Sequence, residues 1–301
     1  QRGWVAMFLA ATVGTTLYIN TDYFNPNDRG ARNVLAHELT HILQSLHFRI
    51  EGGGSSTDSM LASLALIEGD AGWTQHLYCV ETGLCEPSPT LSIDTNNLYI
   101  SLQLFPYIYG ENFIKALYIY GGWGLVNKAY RNPPTSTSMI MKPERYIAYI
   151  ENGSYTPEKI VISDSYRPHS DPLYSDTLGE YYLLLILAKR IGLENASRAA
   201  DGWNGDRIEL YLSQGPTGYV KWVTYWNISW ASEEEAREFY QAFVEALKRE
   251  ADSISIFNNV AQAKIYGEEI ERGWEPGTEI IPSAISLRIE LNNRFTFIVS
   301  E

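Results

Sequence analysis

The segment VLAHELTHILQ, residues 34–44, contains two histidines four positions apart and a glutamate directly after the first. If the segment is helical, His37 and His41 lie one turn apart on the same face, where two imidazoles can bind one divalent metal ion. Glu38 is then placed to take a proton from a water on that ion rather than to bind the ion itself. The alternative is the solvated face of an amphipathic helix with two incidental histidines.

A second predicted helix, LASLALIEGDAGW, distinguishes between these interpretations. Glu68 projects onto the same side of this helix as apolar residues, where an ionised carboxylate is costly without a charge partner or a metal. Pairing the two helices would give Glu68 a partner and give the histidines a third ligand. Gly69 fits that pairing, because a mid-helix glycine costs about 1 kcal/mol relative to alanine and permits close helix approach. A buried glutamate paired with a lysine remains the alternative.

The chemistry that follows is a zinc site with one open position. His37, His41 and Glu68 form a ligand set typical of catalytic zinc, which predicts one Zn²⁺ per chain. Such an ion lowers the pKa of a bound water towards about 7, and with Glu38 as general base the predicted reaction is hydrolysis of an amide, most naturally a peptide bond. Asp70 projects opposite Glu68 on its helix, which argues against a metal ligand and leaves a supporting hydrogen bond as its role.

The elements that must position these residues follow from apolar periodicity and turn signals. Together they predict an α+β, helix-dominated fold with a metal-binding lobe at residues 1–90, a helical lobe completing the cleft at 91–250 and a β-rich segment at 251–301. The predicted elements are two short strands within residues 4–20 joined through Gly14, the motif helix capped by Asn27 or Asp28, a flexible joint at 52–57, a helix from Thr57 or Asp58 to about Tyr78, a helix over 100–130 up to Gly121-Gly122, a loop at 132–138, helices at 175–192 and 232–250, and a C-terminal β-hairpin turning at Asn292-Asn293.

Two further local patterns lead to structural predictions. The stretch GWNGDR, residues 202–207, is interpreted as a glycine-shaped turn in which Asp206 and Arg207 are structural. On the motif helix, apolar residues within about 100° of one another predict a buried stripe. Its members are Leu35, Leu39, Ile42, Leu43 and Leu46.

Composition argues against several classes of function. The 301-residue chain has a formal net charge of −13 and a pI near 4.9, so a nucleic-acid backbone would be repelled. The longest apolar run, WVAMFLAATVG, is too short to span a bilayer and lacks the basic start of a signal peptide. Because the chain begins at Gln1 rather than at methionine, we expect a leader or pro-segment to be missing from it.

The only two cysteines, Cys79 and Cys85, have Gly83 between them, which permits the tight return that a disulfide needs. Such a bridge would add roughly 2 kcal/mol on the chain-entropy estimate, and the alternative is a pair of buried thiols. A disulfide indicates an oxidising compartment and therefore an extracellular or cell-surface protein. Three sequons agree with this only weakly, since chance alone predicts about two. They begin at Asn152, Asn195 and Asn227.

HELTH followed by Glu68 on a second helix resembles the gluzincin branch of the zinc metallopeptidases, the thermolysin-like proteins, and most of all bacterial and archaeal members regarded as metallopeptidases. The resemblance runs from about residue 5 to 250. It is carried by VLAHELTHILQSLHF, ALIEGDA, LFPYIYGENFIKALYIYGGW, NPPTSTSMIMKPERY, DTLGEYYLLLILA and AADGWNGDRIELY.

This resemblance implies a zincin-like fold with a small N-terminal sheet. An edge strand, LYIN at residues 17–20 or the neighbouring AMFL, would hold an extended substrate by strand addition. Glu68 follows His41 by 27 residues, which is longer than in thermolysin-like enzymes. Substrate preference is therefore not carried over.

A peptidase also needs a donor for the developing oxyanion, and Tyr107, Tyr146 and His169 are the candidates, with Tyr107 first. A packed aromatic is the alternative for each tyrosine, because the chain contains 21 of them. The predicted function is a secreted zinc peptidase acting on peptides or proteins. The alternative is a non-catalytic surface or assembly protein that retains a zincin scaffold and binds an assembly partner. Glu38 favours the enzyme, because a scaffold does not need it.

Overall fold

The computed structural model describes residues 9–48, 54–83, 91–163, 171–214, 220–266 and 284–301. Within these ranges the chain forms eight helices and nine strands, which confirms the α+β class predicted from the sequence. The chain divides into two compact units, Gln1–Tyr155 and Thr156–Glu301. The three-part organisation predicted from the sequence is not addressed by this division and stays a prediction.

The first unit is a small hairpin followed by a set of helices. Its elements are β1 (Ala10–Val13), β2 (Thr16–Ile19), α1 (Arg29–His47), α2 (Thr57–Thr82), α3 (Leu98–Arg131), α4 (Thr137–Met141) and α5 (Pro143–Asn152). The two strands are antiparallel and turn at Gly14, whose φ of 60° suits a residue without a side chain. This confirms the small N-terminal sheet.

Helix boundaries in this unit follow local capping chemistry. Asp28 caps α1, as one of the two predicted candidates, by accepting a hydrogen bond from the Ala31 N–H at 2.9 Å. Ser56 caps α2 in a capping box with Ser59, so α2 begins with Thr57 as its first helical residue. The helix continues to Thr82, one turn beyond the predicted end at Tyr78.

Two predictions about this unit are wrong in detail. The predicted loop at 132–138 is shorter, because Ser136 caps α4 and the helix begins at Thr137. The predicted buried stripe on α1 is also wrong, since Leu39, Leu43 and Leu46 are 49%, 54% and 60% exposed. On this helix the buried residues are Ala31, Thr40 and Gln44. The polar Gln44 is buried because α2 supplies its hydrogen-bond partners.

The second unit is built on a seven-stranded antiparallel sheet with the order β3-β4-β5-β9-β8-β7-β6. Three helices accompany the sheet, and a stacked Trp230–Phe239 pair with ring centroids 4.5 Å apart joins α8 to β5 in the core. The elements are β3 (Tyr174–Asp176), α6 (Gly179–Ile191), α7 (Leu193–Ala200), β4 (Trp203–Gln214), β5 (Val220–Trp230), α8 (Glu233–Glu250), β6 (Ser253–Phe257), β7 (Val260–Tyr266), β8 (Ala284–Asn292) and β9 (Phe295–Ser300).

The C-terminal hairpin is confirmed, with its turn one residue later than predicted. Asn292 pairs with Phe295, so Asn293 and Arg294 form the connection, and Asn293 takes a φ of 51°. The predicted helix at 175–192 begins only at Gly179, because Ser175 and Asp176 belong to β3.

The predicted turn at residues 202–207 is instead the start of β4. A bulge lies between Trp203 and Gly205, and Gly205 has a φ of 144°. A side chain there would meet the Glu158 carbonyl oxygen at 2.3 Å, so the local glycine serves close backbone approach within a strand. Asp206 is fully buried in β4 and accepts four hydrogen bonds, which agrees with its structural interpretation.

No helix in the described part of the chain combines the length and the apolar character that crossing a membrane requires. Cys79, near the end of α2, is disulfide-bonded. The other cysteine of the chain, Cys85, lies outside the described residues, so its pairing with Cys79 stays a prediction.

Candidate metal centre

Three side chains predicted as metal ligands come together between α1 and α2. The His37 Nε2 and His41 Nε2 atoms lie 3.1 Å apart, and they lie 3.3 Å and 3.6 Å from Glu68 Oε2. The three side chains are 17–19% exposed, so the cluster is mostly buried but still accessible to solvent. Among the described residues, no other group of three or more histidine, cysteine or acidic side chains has this geometry.

The local fold explains why the two histidines converge. They are four residues apart on α1, which places them on one helical face, and their rings meet edge to face with centroids 4.8 Å apart. The hairpin is attached to the same helix, because the Thr12 hydroxyl donates to the Glu38 carbonyl oxygen at 3.0 Å. The Glu38 side chain is half-buried, one position from His37.

Electrostatics couple the carboxylate to the imidazoles. Burial alone would raise the pKa of Glu68, but hydrogen bonds and charge from His37 and His41 lower it to about 2. Burial alone would lower the pKa of His41, yet Glu68, Gln44 and Glu38 together raise it. Two nitrogens and one ionised oxygen that converge in this way are the donor set that Zn²⁺ takes in proteins. The residues present therefore fit a zinc ion.

Asp70 and two residues that the sequence did not point to, Gln44 and Tyr130, form a hydrogen-bond chain on the Nδ1 side of His41. His41 Nδ1 lies 2.9 Å from Gln44 Oε1, and Gln44 Nε2 donates to Asp70 Oδ2 at 3.0 Å. The Tyr130 hydroxyl donates to the same Asp70 oxygen at 2.6 Å. The predicted supporting role of Asp70 thus reaches His41 through Gln44. Gln44 lies three residues after His41 on the motif helix, a spacing that could have flagged it, whereas nothing local marked Tyr130.

Tyr107 is brought to the cluster by a close contact between α2 and α3. A side-chain carbon at Gly69 would lie 2.2 Å from the Gly110 carbonyl oxygen, so the two backbones touch next to Glu68. The predicted close approach through Gly69 is therefore present, but α3 rather than α1 is the partner. Although 48% of Tyr107 is exposed, its hydroxyl end is close enough to Glu68 to interact with that carboxylate. Burial of that end and the charges of Glu68 and Glu38 raise the pKa of Tyr107 to about 12.

The other oxyanion candidates are not brought to the cluster in the described residues. Tyr146 is fully buried, stands edge to face with Phe113 and donates its hydroxyl hydrogen to the Asn132 carbonyl oxygen at 2.9 Å. This is the packed-aromatic role that was its alternative. His169 lies outside the described residues.

Two family models match parts of the chain. A domain of unknown function, DUF8575, matches residues 169–275, and an eCIS core domain matches residues 7–48. The shorter match contains the first two strands and the histidine pair on α1. Each match covers less than half of the chain, so neither assigns the whole chain to a family. Comparisons with curated proteins and with solved structures found no match.

Proposed function

We propose that this chain is a zinc-dependent peptidase of the gluzincin type. The observation that carries the proposal is the convergence of His37 Nε2, His41 Nε2 and Glu68 Oε2 within 3.1–3.6 Å of one another. One Zn²⁺ held by these three side chains would supply a Lewis acid that activates water and polarises a carbonyl group. The chain's own residues would then handle the protons and the substrate.

Glu38 is the proposed general base. It follows a proposed ligand directly, and its charge acts on both His41 and Tyr107, which places its carboxylate within electrostatic reach of the cluster. In this role it takes the proton of the attacking water and passes it to the leaving amine.

Tyr107 is the proposed oxyanion donor. Its pKa of about 12 keeps the hydroxyl protonated at neutral pH, which a hydrogen-bond donor requires. The hydroxyl would donate its hydrogen to the substrate oxygen. Replacing Tyr107 by phenylalanine should lower turnover by about 10²–10³-fold, the range found when one such donor is removed.

Substrate and location complete the proposal. An extended peptide would pair with the edge of β2 that no strand of the described residues covers, where Tyr18 and Ile19 are 53% and 43% exposed. The net charge of −13 argues against a nucleic-acid substrate. The disulfide state of Cys79 supports an oxidising, extracellular or cell-surface location.

The direct test compares wild type with Glu38→Gln and Glu68→Gln on a mixed peptide library read by mass spectrometry, with a chelator control. Glu38→Gln should retain zinc and lose about 10²–10⁴-fold in turnover, because the amide cannot accept the proton. Glu68→Gln should instead bind zinc weakly, because a charged ligand becomes neutral. Zinc-loaded wild type that cleaves no peptide would overturn the enzymatic proposal. Glu38→Gln cleaving at the wild-type rate would overturn the role of Glu38.

One observation favours a second candidate, a non-catalytic assembly protein that keeps the metal scaffold. Leu39, Leu43 and Leu46 form an exposed apolar stripe on the helix that carries the histidines. Such a stripe is typical of a protein contact surface. Replacing the three leucines by serine should abolish binding to an assembly partner if this candidate is right, whereas zinc-dependent peptide cleavage by the wild type would favour the peptidase.

A further inference from the structure

Gln44 makes three hydrogen bonds from a site that water does not reach. It is 1% exposed, its Oε1 faces His41 Nδ1 at 2.9 Å, and its Nε2 lies 3.0 Å from both the Ile67 carbonyl oxygen and Asp70 Oδ2. Every polar atom of the amide therefore has a partner inside the protein.

These partners permit only one orientation of the Gln44 amide. The NH₂ group has two hydrogens, and Ile67 O is a backbone carbonyl that can accept but never donate. Turning the amide over would place its oxygen against that carbonyl and against the Asp70 carboxylate, which already accepts from Tyr130 at 2.6 Å. Since buried polar atoms without partners cost about 1–3 kcal/mol each, the flipped orientation is strongly disfavoured. The amide oxygen must face His41.

An amide oxygen facing His41 determines where the imidazole carries its hydrogen. Oε1 can only accept, so His41 Nδ1 must donate, and in the neutral ring the lone pair then lies on Nε2. Nε2 is the atom that faces His37 and Glu68. The hydrogen-bond chain thus ends with a metal-binding lone pair directed into the cluster.

From this geometry we infer that Gln44 is a positioning residue that sets the tautomer and orientation of His41, and that Asp70 and Tyr130 hold Gln44 in the required orientation. The importance of this role for zinc binding rests on the proposed function. A glutamate at position 44 would not be equivalent, because its second oxygen would face the Ile67 carbonyl and Asp70, which are both acceptors.

Two measurements test the inference, and the first needs no metal. A long-range ¹H–¹⁵N spectrum of the chelated protein at slightly alkaline pH should show His41 with its hydrogen on Nδ1. In Gln44→Leu, which keeps the size of the side chain but removes the acceptor, a fraction of His41 should move to the Nε2–H form. Ser45→Leu is the matched control, because Ser45 is an exposed neighbour on the same helix and the same residue is introduced.

The second measurement is the dissociation constant for Zn²⁺ and the visible spectrum of the Co²⁺-substituted protein. Gln44→Leu should weaken metal binding about 10–100-fold and alter the Co²⁺ bands, as is usual when the partner of a metal-binding histidine is lost. Gln44→Glu keeps an acceptor for His41 but should also weaken binding, because its second oxygen faces the Ile67 carbonyl and Asp70. The double variant Gln44→Glu with Asp70→Asn should recover part of this affinity, because the new amide can donate to the new carboxylate. Ser45→Leu should match wild type.

The outcomes separate this inference from the proposed function. An unchanged His41 tautomer and unchanged metal affinity in Gln44→Leu would overturn the positioning role while leaving a metal enzyme in place. An Nδ1–H His41 that depends on Gln44 in a protein that binds no zinc would uphold the positioning role and remove the proposed function. If Gln44→Leu does not fold, the metal affinities of Gln44→Glu and its double variant test the role, and equal affinities in wild type and Gln44→Glu would overturn it.

Discussion

Each unit of the molecule encloses a carboxylate, and the two are satisfied in opposite ways. Glu68 in the first unit faces two imidazole nitrogens, which lower its pKa to about 2. Asp206 in the second unit accepts from the backbone N–H groups of Leu178 and Gly179 and from the indoles of Trp203 and Trp226, all at 2.9–3.0 Å. Burial nevertheless raises the pKa of Asp206, because none of these donors is charged.

The difference shows that a buried acid by itself is no sign of a functional site. The four donors around Asp206 have no lone pair that could bind a metal ion. Their hydrogen bonds to Asp206 instead hold the start of α6 against β4 and β5. The partners of Glu68 carry lone pairs that a metal ion can use, and solvent reaches them. The chemical identity of the partners separates a ligand from a structural carboxylate.

The largest effect should come from Asp206→Asn. The amide NH₂ replaces one oxygen, so two buried N–H donors lose their acceptor at about 1–3 kcal/mol each. Urea denaturation should therefore show that the free energy of unfolding falls by about 2–6 kcal/mol. Asp171→Asn, at an exposed position of the same unit, is the control and should change stability by less than about 0.5 kcal/mol. A variant as stable as wild type would mean that the four donors do not hold Asp206.

Zinc should stabilise the first unit through Glu68. At a free zinc concentration about 1,000 times the dissociation constant, the gain is about 4 kcal/mol. Thermal unfolding with zinc and with chelator should show this shift in wild type and in Asp206→Asn, and only a small shift in Glu68→Gln. A full shift in Glu68→Gln would remove that residue from the ligand set.

In the metal-free protein, protonation of Glu68 should lower the free energy of unfolding within a defined pH range. Its folded pKa of about 2 lies below the ordinary 4.5, so its contribution is present above pH 4.5 and is lost as the pH falls towards 2. At about 1.4 kcal/mol per unit of pKa, the loss is on the order of 3 kcal/mol. Asp206 changes stability in the opposite direction. Its pKa is raised above the ordinary 3.8, so its contribution to the stability of the folded state is fully present below pH 3.8 and is lost as the pH rises. Urea unfolding at several pH values should show a flatter acid dependence in Glu68→Gln, and parallel curves would contradict the assignment.

The smallest effect should come from the predicted bond between Cys79 and Cys85. Both cysteines belong to the first unit, so replacing them by serine should cost that unit roughly 2 kcal/mol and leave the second unit unchanged. Hydrogen exchange read separately on α2 and on β4–β5 can detect the difference. Two free thiols in denatured, unreduced protein would show that the bridge is absent.

Much of the candidate metal centre could be predicted because its information is local. The spacing of His37 and His41 places them on one helical face wherever that helix packs, and Asp28 acts on the start of α1 within three residues. Glu68 was identifiable from the cost of a charge on an apolar face, and Gly69 from the rarity of glycine within a helix. The strands of the second unit were missed in part because a glycine bulge in β4 has the local pattern of a turn.

The sequence by itself determined which side chains share a helical face and where helices begin, because those properties depend on neighbours within one or two turns. Only the tertiary structure decided which face is buried and which distant group meets each side chain. In the folded chain Leu39 and Leu43 are exposed and Gln44 is buried. The contact of Gly69 with Gly110 brings Tyr107, and not Tyr146, next to Glu68. Asp70 and Tyr130 are 60 positions apart, and nothing in either local sequence encodes that contact. Such choices depend on the balance of packing and hydrogen bonding over the whole unit, and that balance exists only once the chain has folded.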